Sequence, residues 1–582
     1  MKNIKSLLLV ALLGGSFTSC NDFLNLDPLN DIVLENFWTD KSDVESVLLG
    51  AYSAMEQSNC LTRMCVWGEM RSDNIVEGNI QNNEDLRQLL RENLLYTNQY
   101  CNYAPLYEVI NRANTVLYYA PQVAQKDPNF MIDELLAQEA EAVALRCLSY
   151  WYLIRAFHDV PYVTDPSIDD EGGRAKFYVP QSSFETVLDS LISDLERVKK
   201  YAVNKYANEE ANTGRITKSA ICAMLADMYL WRCNEGDMDK CIAVCEEVNT
   251  LKRADYDKIK SKEGRLCKLY LFNGYPLISD AESDDYLGYS YDEIFGRGNS
   301  FESLFEFPYS FDVQNPFVGS FYQDYRADQS RSVGQLKAYQ KIGDGFSSSA
   351  GNEIFEQTFD TRYYQNLLLR GSAFAIIKYA YSDLDLVVAG GSLSRDYYNV
   401  RGQFAAQPNW IIYRYSEVLL FEAEAYILKA KAEGDSTTAA STYKDKAYDL
   451  IDAVNKRAIV YDVDKVRKAN VKTLADLNYK HDMSASAMED LLFKERRREF
   501  MFEGKRWFDL VRLARREGNQ DRLLRAVEKK HDSSTLSAVR IKLKNPYAMY
   551  FPMYRDEIRN SAGCLKQNPA YKDDEDIKQA SH

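Results

Sequence analysis

The sequence predicts a mainly α-helical fold: four tetratricopeptide-like helix pairs forming a curved scaffold, with a loop-rich insertion. Three observations predict it. Apolar residues recur at 3.6-residue spacing in segments that group as pairs across short turns. Small residues such as Ala220, Ala223, Ala226 and Ala423 fall where stacked helix pairs need close approach. Between residues 255 and 405 the periodicity breaks down, and Gly, Ser, Asp and aromatic residues take over.

The chain opens on a secretory leader. Lys2 and Lys5 form a short basic region, Leu7 to Leu13 an apolar one, and Gly14, Gly15 and Ser16 follow. The apolar run is too short to span a bilayer, which takes about 20 residues. Phe17-Thr18-Ser19-Cys20 then resembles a bacterial lipobox, in which the cysteine is acylated and becomes the new N-terminus. Residues 1–19 are therefore expected to be removed, with Cys20 lipidated and residues 20–40 serving as a tether.

Helices follow from residue 41. Ser42 or Asp43 can cap one carrying Val44, Val47, Leu48, Ala51, Tyr52 and Met55; a second covers Tyr107 to Tyr119. The clearest runs from Asp133 to Phe157 with a stripe of Leu136, Ala140, Val143, Cys147, Trp151 and Ile154, and stops before Pro161. Its partner is Ser183 to Lys199. Thr217 caps Lys218 to Arg232, and Asp237 caps Met238 to Asn249. A fourth pair is Tyr413 to Lys431 with Tyr443 to Ala458, and a further helical stretch covers 488–516. This divides the mature chain into a helical region 41–254, an insertion 255–405 with a strand at Leu304 to Tyr309, and a C-terminal helical region 406–582. Long ordered loops in a large domain usually carry function.

Composition narrows the function. Loss of Lys2 and Lys5 takes the formal charge from −15 to −17, which disfavours nucleic acid, since phosphate binding needs a basic face. The 11 cysteines show no metal spacing; Cys147 and Cys222 read as core thiols, Cys241 and Cys245 suit a disulfide poorly, and the sequence chooses no pairing. With 4 histidines and no HExxH, GxSxG or P-loop pattern, nothing local points to catalysis, although a carboxylate pair among 86 acidic residues leaves a hydrolase open.

The densest segment is Lys494 to Leu513. On a helix Glu495, Glu499 and Glu503 share a face, with Arg506 near the end, and Asp509 can pair with Lys505 or Arg512. We read it as a partly buried ion-pair network rather than an acidic catalytic strip. Glu495, Arg496, Glu499, Glu503, Gly504, Arg506, Asp509, Leu510 and Arg512 closely resemble, in order, the hallmark of SusD/RagB-type nutrient-binding lipoproteins. Cys20 to Leu24, Phe37-Trp38, Gly214 to Thr217, Asp360-Thr361-Arg362, Arg414 to Leu420 and Asn568 to Tyr571 extend the resemblance over nearly the whole chain. The resemblance implies an outer-membrane, surface-exposed lipoprotein docked on a SusC-type TonB-dependent barrel transporter, without catalysis or an obligate cofactor. Its ligand would be an oligo- or polysaccharide, with peptide as the alternative.

The hallmark does not reveal the ligand site. Sugars offer apolar C–H faces to aromatic rings and hydroxyls to Asp, Asn and Arg. Two segments have that mixture. One is Trp67 to Asn74, read as a loop between helices, whose Trp67, Arg71, Asp73 and Asn74 are candidate ligand residues. The other is 275–325, with Tyr286, Tyr289, Tyr309, Phe321, Tyr322 and Tyr325; Arg362 joins them as a candidate.

Overall fold

The computed structural model describes residues 37–167, 178–263, 268–280, 287–323, 333–347, 351–389, 392–401, 407–460 and 471–571. The expected leader, Cys20, the tether up to residue 36, Tyr286 and Tyr325 lie outside the described residues.

Helix α1, Lys41–Glu56, starts two or three residues earlier than the sequence suggests. Asp40 is its N-cap, and Asp43 at the N3 position turns back to the Asp40 backbone as a capping box. Helix α2 is Ser58–Glu69. Helix α3, Ala104–Lys126, is longer than expected; Pro105 sits in its first turn, where a missing N–H costs nothing. Helix α4, Ile132–Phe157, is buried at every position from Ala140 onward. Helix α5, Phe184–Val198, is capped by Ser183, and α6, Lys218–Arg232, by Thr217. Helix α7 runs Asp237–Glu263, well past the expected Asn249. Helices α8, Tyr415–Glu433, and α9, Thr438–Arg457, form the last pair.

The pairs pack as their stripes require: α1 on α3, α4 on α5, α6 on α7 and α8 on α9, with α7 also packed on α8. One hydrophobic core extends from Trp38 to Tyr571. Cys147 and Cys222 are fully buried in it, and the nine cysteines among the described residues are free.

Between α7 and α8 the regular structure is mostly short. The strand expected at Leu304 to Tyr309 is Ser303–Phe307, paired antiparallel with Trp410–Arg414, and both are buried throughout. The second strand falls where the sequence predicts loop and the start of a helix; an apolar run buried on both faces has no alternation to betray it. A hairpin, Tyr381–Ala389 with Ser392–Val400, is the longest ladder there.

The stretch expected to be helical over 488–516 is two helices, α10 Ala485–Phe500 and α11 Arg506–Glu517. Phe502 and Gly504 between them take φ of 68° and 75°, which ends α10 and carries Glu503 off it. This turn packs on α2 so closely that a Cβ on Gly68 would lie 1.7 Å from the Gly504 carbonyl oxygen.

Candidate functional site

The hallmark residues are interior. Glu495 accepts hydrogen bonds from Arg362 at 2.6 Å and Arg498 at 2.7 Å. Glu499 receives Arg362, Arg414 and Arg457; Glu503 receives Arg414 at 2.9 Å and Lys378 at 2.6 Å. Burial alone would push the Glu499 carboxyl up, but Arg457, Arg414 and Arg362 outweigh it and hold it well below the usual range. Asp509 pairs with Arg496 and Arg512; Lys505 turns instead to Glu417. Carboxylates so saturated with arginine are structural, not acid–base groups.

Most of the other residues expected at the ligand are likewise interior, and Asp73, Asn74 and Arg362 join that network directly. Trp67 lies on α2, not in a loop, and is fully buried, its indole N–H donating to the Tyr100 carbonyl at 2.8 Å. Arg71 forks onto Glu92 at 2.7 Å and lies over the Trp507 ring. Asp73 is clamped by Arg497 and Arg506 at 3.1 and 2.8 Å. Asn74 accepts from Arg497 at 2.9 Å and donates to Glu69 at 3.0 Å. Arg362 is held by Asp360 at 2.8 Å besides Glu495 and Glu499. Tyr309 donates to the Glu56 carbonyl at 2.7 Å and Tyr322 to the Phe502 carbonyl at 2.8 Å. Phe321 is buried and stacked on Phe317. These side chains are framework: polar groups taken from water must find protein partners, and here those partners leave no face for a ligand.

Tyr289 is different. It is half-buried and lines a cleft of about 260 Å³ where the segment from Tyr289 to Phe301 meets α7 and the short helix Glu209–Gly214. Asn208 caps that short helix, its side chain accepting from the Ala211 N–H at 2.6 Å, so that Asn212 and Thr213 face the cleft. The Thr213 hydroxyl donates to Asn299 at 2.6 Å and ties the two walls together. Gly298 and Asn299 both take positive φ, 74° and 54°, turning the chain so that Phe301 reaches the cleft. At Gly298 a Cβ would also lie 2.5 Å from Asn409 Nδ2.

The cleft carries both signs of charge. Lys205 pairs with Asp255 at 3.0 Å. Lys252 is half-buried against Phe301, donating to the Phe301 and Ser303 carbonyls, and desolvation pushes its ammonium down to about 8. Tyr289 hydrogen-bonds Glu293, whose carboxyl burial pushes up; Glu293 Oε2 has no hydrogen-bond partner among the described residues, with Arg297 3.7 Å away. Two rings among amides, hydroxyls and balanced charges suit a polyhydroxylated ligand. No cluster of His, Cys, Asp or Glu among the described residues could hold a metal ion. The sequence reading missed Phe301, Glu293, Asn299 and Thr213; the Gly298-Asn299-Ser300 turn was the available signal.

Two family models match the chain: the SusD family over residues 308–571, and a family described as starch-binding and associating with the outer membrane over 22–230. SusD-like protein P38 of Formosa agariphila is 24% identical over 530 residues, 88% of this chain and 91% of the relative. SusD-like protein P25 of the same organism is 22% identical over 531 residues, 88% of this chain and 90% of the relative. Among solved structures, a SusD superfamily protein from Bacteroides vulgatus superposes with a TM-score of 0.62 at 17% identity, covering 92% of this chain and all 100% of the other. Surface glycan-binding protein A from Bacteroides thetaiotaomicron, solved with laminarihexaose, has a TM-score of 0.59 at 17% identity, covering 91% of this chain and 100% of the other.

Proposed function

The chain belongs to the SusD-like family, and on that premise we propose that it is a cell-surface lipoprotein, anchored through Cys20, that captures an oligo- or polysaccharide and delivers it to a SusC-type TonB-dependent outer-membrane transporter. The observation that carries the ligand class is the cleft between Tyr289 and Phe301. Its rings can stack on sugar C–H faces while Glu293, Asn299 and Asn212 meet hydroxyls. A fold relative solved with laminarihexaose supports a glycan as the ligand class.

The role is binding without turnover. The acids of the hallmark are held ionised by arginine and buried away from the cleft, which fits them for structure rather than proton transfer. Affinity spread over several modest contacts suits a protein that must release its cargo.

The test is a panel of oligosaccharides and polysaccharides titrated against the full mature chain, with product chain lengths read afterwards. Saturable binding with unchanged chain lengths is expected. Shortened products would make the protein a hydrolase, and peptides co-purifying from growth medium without glycan binding would make it a peptide receptor.

A further inference from the structure

A second cleft, of about 410 Å³, lies between the start of α3, the segment from Pro161 to Ser167 and the short helix Arg555–Asn560. It shares no lining residue with the Tyr289 cleft. Tyr103, Tyr107 and Tyr178 line it, the first two with ring centroids 5.2 Å apart and planes inclined at 49°. The Tyr107 hydroxyl donates to the Pro161 carbonyl at 2.6 Å and the Asn114 amide to the Val163 carbonyl at 3.2 Å, so the walls are held in place without a ligand.

Two groups in it are left over. Tyr103 is 4% exposed, and its hydroxyl has no hydrogen-bond partner among the described residues. A buried hydroxyl without a partner is costly and rare, and calls for an explanation. Glu557 contributes a half-buried carboxylate, and no Lys, Arg or His is among the cleft's described lining residues. Burial, with Asp556 beside it, pushes the Glu557 carboxyl up; the same carboxylate adds to the burial that pushes the Tyr103 and Tyr107 phenols up.

We propose that this cleft binds an organic ammonium group, as found on an amino sugar or an amine-bearing lipid headgroup. Three tyrosine rings line the cleft and can attract a cation, and a carboxylate with no basic side chain among the described lining residues neutralises it. A primary ammonium donates N–H groups to Glu557 and to the Tyr103 hydroxyl oxygen, whereas a quaternary one meets Glu557 by charge alone. A uronic or sulfated ligand is repelled by Glu557, and a neutral sugar leaves that carboxylate unneutralised.

The test titrates the full mature chain by calorimetry with glucosamine, N-acetylglucosamine, ethanolamine and choline at millimolar concentration. Glucosamine or choline is expected to saturate, and N-acetylglucosamine to bind at least about tenfold more weakly than glucosamine, as loss of a desolvated cation–π contact implies. Glu557→Gln is expected to weaken cation binding about tenfold. Tyr103→Phe, which removes only an unpartnered hydroxyl, should fold normally and weaken glucosamine more than choline. Saturation by glucosamine without choline identifies the amino sugar; saturation by choline or ethanolamine without glucosamine identifies the headgroup. Equal binding of glucosamine and N-acetylglucosamine, no saturation by any cation, or unchanged affinity in Glu557→Gln overturns the proposal. Should Glu557→Gln fail to fold, Tyr178→Ala provides the same reading from the aromatic side.

Discussion

Arg506 grips the carboxylate of Asp73 through two hydrogen bonds, 2.8 Å from Nε and 3.1 Å from Nη2, joining positions 433 residues apart in the chain. Arg497 closes on the same carboxylate from α10. Burial would raise the Asp73 carboxyl, yet the two guanidiniums hold it well below its usual range. The segment after α2 is thereby fastened to the last turns of α10 and the start of α11. Removing one partner of a buried pair leaves the others charged and unpaired. Asp73→Ala is expected to destabilise by about 3–5 kcal/mol in urea unfolding, while glycan affinity of the folded fraction stays unchanged.

Trp67→Ala makes the same distinction by packing alone. The indole is fully buried, meets Phe157 edge-on at 5.1 Å and caps the Tyr100 carbonyl. Loss of so large a buried ring costs about 3–5 kcal/mol. A lowered melting temperature with normal binding when folded is expected; normal stability with lost binding would return Trp67 to the ligand site.

Tyr289→Ala should do the reverse. Tyr289 is half-buried at the cleft and carries little of the core. Loss of its stacking and hydrogen bond is expected to weaken glycan binding about tenfold, ~1.4 kcal/mol, with a melting temperature close to that of the parent. Full affinity in this variant would move the site elsewhere.

Stability should peak in mildly acidic solution. Glu424 is fully buried; against that desolvation, Arg512 and Arg516 hold its carboxyl at about 2, below the ordinary 4.5. Its stabilisation is complete above 4.5 and is lost as pH falls through about 2, a contribution on the order of 3 kcal/mol. Burial instead raises Glu56 and Glu422 to about 7, so they cost stability as pH rises from 4.5 through 7. Melting temperatures measured across pH should fall on both sides of about pH 4.5, and Glu424→Gln should flatten the acid limb.

The anchor is tested separately. Cys20→Ala is expected to release the protein from membranes on fractionation, because acyl chains supply about 0.8 kcal/mol per buried methylene. A variant that stays membrane-bound in high salt would place the anchor elsewhere. No helix among the described residues is long and apolar enough to cross a membrane.

The helix pairs and the family resemblance can be read along the chain. The α4 stripe, the Thr217 cap and the short turn before Asp237 are local: each depends on residues within one or two helical turns, and each lies within a few residues of its expected place. The hallmark from Glu495 to Arg512 was legible for the same reason, as a spacing along the chain. What those charges do follows from how the chain packs. Whether Arg362, Arg71 or Asp73 faces water or a buried partner depends on residues more than a hundred positions away, or on a turn such as Phe502–Gly504 that redirects Glu503. An aromatic beside short polar residues reads alike in a ligand loop and in a saturated core. Of the Tyr289–Phe301 cleft the sequence reached only Tyr289 and its segment, because the opposing walls, Glu209–Gly214 and Gly298–Phe301, meet only when α7 brings them together. Periodicity reports which side of a helix is buried, but not which of two polar surfaces is left facing solvent once every buried charge has found its partner.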